Sequence, residues 1–258
     1  MSLRHAAPLV LRELVTADEL ALLPEFEQRV WGGTAEMVSV NVLVATISEG
    51  GVAIGAFDGE RIVGAAYGFP TRDAHVLHSH YMAVDAEYRR RGLAVELKQR
   101  QRAWCRTNGY THMRWTYDPL QVANAHLNLR VLGAVGVGYH ENHYGSLGGI
   151  NGSLPSDRIT VLWDLGGDDL RTTPTRSVKV PALAPDAIAT SSDSARQARL
   201  SVRADLQPLL ADGWLLVDMD HESRSYGLAP PPGPSGPPQN ERARSGKTLE
   251  TLETNQSP

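Results

Sequence analysis

Apolar residues in the first 48 positions alternate between strand-like and helix-like spacing. Residues 8–15 predict a first strand, and Thr16 and Glu19 follow it in the spacing of a helix-capping box. The apolar positions of the next helix are Leu20, Leu23, Phe26 and Val30. A second apolar helix is predicted over residues 38–48, where a pair of glycines ends it.

The middle of the chain predicts a hairpin, a further strand and a long helix. Two apolar runs, 52–57 and 62–69, flank Asp58-Gly59, a pair that favours a type I′ turn between antiparallel strands. Residues 76–84 predict the next strand, and residues 93–107 predict an amphipathic helix.

A second strand–helix unit follows, and two more strands come after it. Residues 113–117 predict a strand, and Asp118-Pro119 predicts a helix start because Asp caps helices and Pro fits their first turn. That helix is predicted to end at Gly133. Strands are then predicted at 135–144 and 159–165.

The composition changes at Gly166, which divides the chain into a main domain over residues 1–165 and a C-terminal region. A strand at 177–180, a helix at 193–211 and a strand at 214–219 predict a small βαβ-like appendage within residues 166–228. Residues 229–258 are rich in proline and polar residues, so we predict a disordered tail there.

Composition narrows the class of protein. The 258 residues are 41% hydrophobic and carry a formal net charge of −4, with no basic face of the kind that binds nucleic acid. No apolar run approaches the ~20 residues of a membrane span, and the first apolar patch is too short for a signal peptide. The single cysteine, Cys105, excludes an internal disulfide. We expect a soluble cytoplasmic protein that binds neither nucleic acid nor membrane.

The run Arg89-Arg90-Arg91-Gly92-Leu93-Ala94 lies between a predicted strand and a predicted helix. Gly92 and Ala94 lack bulky side chains, so a ligand can approach the backbone closely. The free N–H groups and the dipole at a helix start bind phosphate groups, and the arginines add positive charge. The sequence therefore predicts a diphosphate site, although this residue pattern is common by composition and gains its weight from its position.

The segment from Tyr81 to Ala94 resembles motif A of the GNAT acyltransferases, a hydrophobic strand followed by Arg/Gln-x-x-Gly-x-Gly/Ala. The match falls on Arg89, Gly92 and Ala94. The resemblance implies an α/β (α+β) fold, with a mixed, largely antiparallel sheet flanked by helices. It also implies that the turn holds an acyl-coenzyme A. Met82, Ala83 and Val84 would lie along the pantetheine arm, where their strand splays from its neighbour.

The helix predicted after Pro119 corresponds to the family's second cofactor-contacting helix. Asn124 and Asn128 are four residues apart, so we expect them to share a face and reach the cofactor. Many members have a tyrosine near the end of this helix that protonates the leaving thiolate, and here that position is Leu129. Either another group supplies the proton, or the thiolate leaves unaided.

Tyr144 and Tyr139 are the candidate substitutes, because a phenol pKa near ~10 exceeds the ~8.5 of a thiol. The alternative for each is a strand aromatic with a satisfied hydroxyl. We take Tyr144 as the acid.

The candidate bases that would accept the amine's proton include His80 and Glu87, which we take forward, and also His78, His140 and His143. His78 and His80 alternate with Met82, so we expect these three side chains on one face. A structural role is the alternative for each histidine. The nine histidines lack metal-ligand spacing, so no metal site is predicted.

The stretches 116–120 and 124–128 also resemble a bacterial branch similar to enzymes that acylate amino acids, including with succinyl groups, and the C-terminal region resembles that branch's extension. We expect transfer of an acetyl or succinyl group from acyl-coenzyme A to the amine of a small molecule, an amino acid. The alternatives are a non-catalytic coenzyme A-binding regulator and a nucleotide-phosphate binder of another class. The oligomeric state stays open, with a homodimer among the options.

Overall fold

The computed structural model describes residues 8–32, 37–147, 152–166 and 172–231. Its strands are β1 (Val10–Glu13), β2 (Val52–Asp58), β3 (Arg61–Pro70), β4 (Val76–Val84), β5 (His112–Tyr117), β6 (Val135–His140), β7 (Arg158–Asp164), β8 (Arg176–Lys179), β9 (Leu215–Asp220) and β10 (Ser225–Ala229). The helices are α1 (Ala17–Leu20), α2 (Leu22–Trp31), α3 (Val40–Ser48), α4 (Leu93–Thr107), α5 (Val122–His126) and α6 (Asp193–Ala211).

All of these strands belong to one sheet, in the order β1-β2-β3-β4-β5-β7-β6-β9-β10-β8. Neighbouring strands are antiparallel except for β4 and β5, which are parallel. The predicted mixed, largely antiparallel sheet flanked by helices is therefore confirmed.

The helices divide between the two faces of the sheet. On one face, α1, α2 and α3 form a core with β2–β4 around Phe26, Leu43 and Tyr67. On the other face, α4, α5 and α6 share a larger core that includes Leu97 and Leu206. Because burial of apolar side chains is the main driving force of folding, these two cores fix the helices on the sheet.

Two local predictions in the N-terminal half have different outcomes. The capping box of α1 is present, with Thr16 and Glu19 bonding each other's backbone N–H groups. The hairpin of β2 and β3 also forms, but its loop is Gly59-Glu60, since Asp58 pairs with Arg61. Only Gly59 has a positive φ, at 61°, so the predicted type I′ turn, which needs two such residues, is wrong.

The strand predicted over residues 135–144 ends early. β6 stops at His140, because Asn142 adopts a left-handed conformation with φ at 45° and turns the chain. Residues 148–151, between the predicted strands at 135–144 and 159–165, lie outside the described residues.

The C-terminal elements extend the main sheet instead of forming a separate βαβ unit. The prediction missed β10, which lies between β8 and β9 and pairs antiparallel with both. Gly136 of β6 then pairs with Leu216 of β9, which joins the extension to the main sheet. The division at residue 166 stays a prediction, and residues 232–258 of the predicted tail lie outside the described part of the chain.

Gly136 is where the extension approaches most closely, and this gives a stability prediction. A Cβ at Gly136 would lie 2.8 Å from Leu216 Cβ, so we expect Gly136→Val to cost about 1–3 kcal/mol of unfolding free energy. Gly138→Val is the matched control, because a Cβ there meets only His140 Nε2 at 3.8 Å. Equal midpoints for the two variants in urea unfolding would contradict this account.

No helix in the ranges described above is long and apolar enough to cross a membrane.

Candidate active site

Strands β4 and β5 pair only at their beginnings. Residues 76–78 of β4 hydrogen-bond with residues 112–114 of β5, and the pairing stops there. Beyond this point β4 keeps β3 as its partner and β5 keeps β7. A V-shaped gap therefore opens between residues 79–84 of β4 and residues 115–117 of β5. The backbone edges that face each other across this gap form no strand pairing in the described residues.

The backbone of β4 directs two residues into this gap. Asp85 donates its N–H to the Val63 carbonyl of β3 at 2.9 Å. Because N–H groups alternate sides along a strand, Met82 and Val84 direct theirs toward the gap. Ala83 instead turns its backbone toward β3 and its side chain into the core beneath α1–α3.

A β-bulge at His80 changes which side chains of β4 share a face. Tyr67 of β3 pairs with Tyr81, but Gly68 pairs with Ser79, so His80 is the extra residue. His80 therefore lies with His78 beside Phe69, whereas Met82 packs against the α4 core. The expectation that these two histidines and Met82 share a face is wrong for Met82.

The turn after β4 is held by side chains on both sides. Buried Asp85 binds Arg29 of α2 at 3.2 Å and Arg61 of β3 at 3.0 Å. Tyr88, in the 3₁₀ turn at Ala86–Tyr88, donates its hydroxyl proton to Asp58. These contacts fix the chain just before the arginine run.

The arginines of the turn differ in their contacts. Arg89 donates Nε to the Val84 carbonyl at 3.0 Å, so its side chain ties the turn to the strand end. Arg90 is exposed and has a φ of 61°. Arg91 is exposed with its guanidinium 5.7 Å from the Tyr88 ring centre.

The start of α4 presents free backbone donors. Gly92 is the N-cap, with φ at 86°, and its carbonyl accepts from the N–H groups of Val95 and Glu96. The N–H groups from Arg90 to Ala94 donate to no acceptor in the described part of the chain. Since the helix dipole is positive here, the segment is suited to an anion.

A buried polar cluster lies at the closed end of the gap, on the α4 face. Lys98 is 3% exposed and donates Nζ to Ser79 Oγ at 2.7 Å, and Ser79 donates to Gln101 Oε1 at 2.8 Å. Lys98 Nζ also lies 3.9 Å from the ring centre of Trp115. Burial lowers the Lys98 pKa to about 7.

The opposite face of the sheet carries what we call the histidine face: His78, His80, His140, His143, Thr116 and Tyr144. His143 lies 4.9 Å from His140 and 4.4 Å from Tyr144 between ring centres. Burial, with smaller contributions from His80 and Arg114, lowers the His78 pKa to about 4. Burial also lowers the pKa of His80, whose ring is open to solvent but crowded by Tyr67 and Phe69. These imidazoles are therefore neutral at pH 7.

A sequence profile of the acetyltransferase (GNAT) family matches residues 21–134, from α2 to just before β6. Those residues match the GNAT family in sequence and have its fold, and we call them the GNAT domain. The match includes the gap, the arginine turn and α4, and it ends before the C-terminal extension. Among curated proteins, none matches this chain in sequence.

Solved structures share the fold of the GNAT domain. The ribosomal-protein-S18-alanine N-acetyltransferase of Escherichia coli is 18% identical, with a TM-score of 0.51 over 64% of this chain and 100% of its own. The yncA protein of Salmonella typhimurium, solved with its cofactor acetyl-CoA, is 15% identical, with a TM-score of 0.51 over 66% and 100%. An N-acetyltransferase of Staphylococcus aureus Mu50 is 16% identical, with a TM-score of 0.50 over 62% and 99%.

The helix that follows β5 in the GNAT domain departs from the prediction. α5 begins at Val122 instead of Pro119, because Asp118 accepts from the Leu120 N–H and stabilises a turn there. A π-helical turn at Leu127–Val131 follows, with its i→i+5 bond from Leu132 to Leu127.

The two asparagines of this segment lie in different environments. Asn124 is exposed. Asn128 is 4% exposed and accepts from Trp115 Nε1 at 3.2 Å. Asn128 therefore has a structural partner, and the predicted contact of both asparagines with the cofactor stays a prediction. Leu129, where many family members have a tyrosine, is fully buried in the core.

The predicted catalytic acids and bases are only partly brought together. Tyr144 is 44% exposed, with its hydroxyl 3.3 Å from Thr116 Oγ1 on the histidine face. Tyr139 donates to Asp157 Oδ2 at 2.6 Å, and its pKa is raised by burial and by that carboxylate, so it has a structural role. Glu87 is on the surface, 3.7 Å from Arg61, apart from the histidine face.

Two other titratable side chains, Cys105 and Glu27, are buried. Cys105 is fully buried, and burial raises its thiol pKa to about 12, so a thiolate does not form at neutral pH. Glu27 of α2 is 1% exposed and accepts from the Val38 N–H at 3.3 Å, and burial raises its pKa.

Within the described ranges, no group of three or more His, Cys, Asp or Glu side chains is arranged to hold a metal ion.

Sequence reasoning missed Lys98 and its neighbours. Lys98, Gln101 and Cys105 recur at helical spacing beside Leu97 of the apolar stripe, so all four are buried. The presence of a lysine within this apolar stripe was the sequence feature that could have identified it as a candidate functional residue. Its contact with Ser79 joins α4 to β4, and the spacing of residues along the chain gives no sign of it.

Proposed function

We propose that this protein is an acyl-coenzyme A-dependent N-acyltransferase. It would transfer an acetyl group from acetyl-coenzyme A to the amine of a small molecule. The observation that carries the proposal is the set of free backbone N–H groups at the start of α4, beside the open edge of β4 in a GNAT domain. The acetyl-coenzyme A in the related Salmonella typhimurium structure supports the same cofactor class.

The diphosphate of the cofactor would bind at the turn. The N–H groups of Arg91, Gly92, Leu93 and Ala94 are free to donate to its oxygens, and the exposed guanidiniums of Arg90 and Arg91 add charge. Arg89 would organise the turn through the Val84 carbonyl instead of reaching the phosphates.

The pantetheine arm would occupy the V-shaped gap. Its amides would pair with the backbone of Met82 and Val84, whose polar groups face the gap unpaired by β5. The exposed Asn124 on α5 is the candidate for contact with the outer part of the cofactor. A backbone N–H of this strand end would stabilise the negative charge that develops on the thioester oxygen.

The amine would approach from the histidine face, on the other side of the sheet from α4. His80 is the proposed base, because its lowered pKa keeps it neutral and able to accept a proton at pH 7. Tyr144 would contact the acceptor on this face, and Glu87 keeps its ion pair with Arg61. An amino acid is the proposed acceptor class, and succinyl-coenzyme A is the alternative donor.

The proposal is tested first by binding and then by turnover. We expect acetyl-coenzyme A to raise the unfolding temperature, and ATP at equal concentration to have no such effect. Release of free thiol is then measured with a panel of amines that includes amino acids of both chiralities, and acylated products are detected by mass. Saturable binding without thiol release for any amine would instead favour a non-catalytic coenzyme A-binding protein, which the leucine at position 129 also motivates.

The role of His80 gives a separate kinetic prediction. We expect His80→Gln to lower kcat by about 10²-fold, because the glutamine cannot accept the amine's proton. In the unaltered protein we expect activity to rise with pH through the His80 pKa, which lies below the usual value. We expect this rise in the pH–activity profile to be absent in His80→Gln. If His80→Gln kept both the kcat and the rise in activity with pH, His80 would be excluded as the base.

A further inference from the structure

Lys98 combines burial with the lack of a counter-ion. It is 3% exposed, and no carboxylate in the described ranges contacts it. Its ammonium is held by one hydroxyl, Ser79, and by the face of the Trp115 ring. Burying a cation without a carboxylate costs free energy, so a lysine here calls for a function beyond packing.

The position of Lys98 is as informative as its burial. The last paired residues of β4 and β5 are His78 and Arg114, and the next ones along are Ser79 and Trp115. Lys98 contacts both of these, so its amine lies where the gap closes. Trp115 in turn bonds Asn128, one residue from the leucine that replaces the family's tyrosine.

We propose that Lys98 protonates the sulfur of coenzyme A as the thioester breaks. This inference rests on the proposed function. The amine nitrogen forms a bond to the carbonyl carbon, the carbon–sulfur bond breaks, and its electron pair stays on sulfur. The proton moves from Lys98 Nζ to that sulfur, while the amine's own proton goes to the base on the histidine face. Lys98 then regains a proton from solvent.

The two faces of the sheet separate the acid from the base in this scheme. Lys98 lies on the α4 face, whereas His80 and Tyr144 lie on the opposite face. A pKa of about 7 allows the lysine to give its proton to a thiolate, since a thiol has a pKa near ~8.5. The titratable groups near Lys98 are Cys105 on α4 and His78 on β4, and both are uncharged at pH 7.

One other buried hydroxyl on this face could supply the proton. Tyr117 is 5% exposed, its hydroxyl lies close to that of buried Tyr226, and burial raises its pKa. It lies two residues beyond Trp115 along β5. Tyr117→Phe therefore distinguishes the two candidate acids.

The first test uses coenzyme A alone, so it does not depend on turnover. The ultraviolet absorbance of the bound thiolate is titrated with pH in the unaltered protein, in Lys98→Met and in Arg100→Met, an exposed control on the same helix. The Lys98 ammonium stabilises a neighbouring thiolate, so part of the thiolate should form while Lys98 still carries its proton. We therefore expect a lower midpoint in the unaltered protein and in Arg100→Met than in Lys98→Met. Identical midpoints in all three proteins would overturn the proposal.

The second test is kinetic, with acetyl-coenzyme A and an accepted amine. We expect Lys98→Met to lower kcat by about 10²-fold with little change in the KM for acetyl-coenzyme A, and to remove the fall in rate at high pH. Lys98→Gln guards against a folding defect, and thermal unfolding checks both variants. Loss of the rate in Tyr117→Phe but not in Lys98→Met would assign the acid to Tyr117. Coenzyme A binding with a Lys98-dependent thiolate midpoint but no turnover would refute the proposed function alone.

Discussion

Replacing Gly92 with valine is expected to weaken acetyl-coenzyme A binding by about 10³-fold or more. Gly92 has φ at 86°, a conformation that a β-branched residue adopts only with about 1–3 kcal/mol of strain. With valine at position 92 the backbone would move to a negative φ. The free N–H groups from Arg91 to Ala94 would then no longer converge on the diphosphate. Loss of two or more hydrogen bonds to charged oxygens, each about 1.5–3 kcal/mol, gives an effect of this size.

The control for this prediction is at the other end of the same helix. Gly109 has φ at 84°, and a Cβ there meets no atom within 4 Å, just as a Cβ at Gly92 meets only Glu96 Oε1 at 3.9 Å. Gly109→Val should therefore lose similar stability and keep its affinity. Isothermal titration calorimetry with acetyl-coenzyme A compares the two variants. Equal affinities in both would locate the diphosphate elsewhere.

Removing the carboxylate of Asp118 is expected to destabilise the protein by about 3–5 kcal/mol. Asp118 accepts two hydrogen bonds from Arg199 of α6, at 3.1 and 2.7 Å, and lies 3.8 Å from Arg158 of β7. All three side chains are buried. Asp118→Ala would leave both guanidiniums without this carboxylate, and an uncompensated buried charge is costly. For a protein of this size the loss corresponds to a fall of about 10 °C or more in Tm.

An exposed pair of similar geometry is the matched control. Asp218 of β9 accepts two hydrogen bonds from Arg130 at 2.8 and 2.7 Å, but both side chains are partly exposed to water. Asp218→Ala should cost about 1 kcal/mol or less, because solvent screens the pair. Chemical denaturation of both variants measures the difference. Similar losses would mean that burial of the Asp118 pair does not determine its contribution.

Much of the element order could be predicted from the sequence, because local rules govern it. The helical spacing of apolar residues gave α4 and α6 their observed bounds, 93–107 and 193–211. The capping box at Thr16 was likewise predicted from four neighbouring residues. The arginine turn was predicted as a strand-to-helix connection, and its glycine has the left-handed φ that only a residue without Cβ adopts freely.

Local deviations in the ladder and the helix could not be predicted in this way. The bulge at His80 inserts one residue and moves Met82 to the face opposite the histidines. A π-helical turn at Leu127–Val131 follows α5, and Asn128 within it is buried against Trp115. The bulge and the π-helical turn each depend on how the strand or helix packs against its neighbours. The spacing of residue types along the sequence does not indicate either of them.

The sequence by itself determined the order of the elements, the anion-binding character of the turn at Gly92 and the resemblance to the GNAT family. These follow from interactions between residues close in the chain. Only the tertiary structure decided that Lys98 lies at the closed end of the gap, that Tyr144 belongs to the histidine face and that β8–β10 extend the main sheet. The physical reason is that such contacts join residues far apart in sequence, and their geometry depends on strand pairing and core packing across the whole sheet.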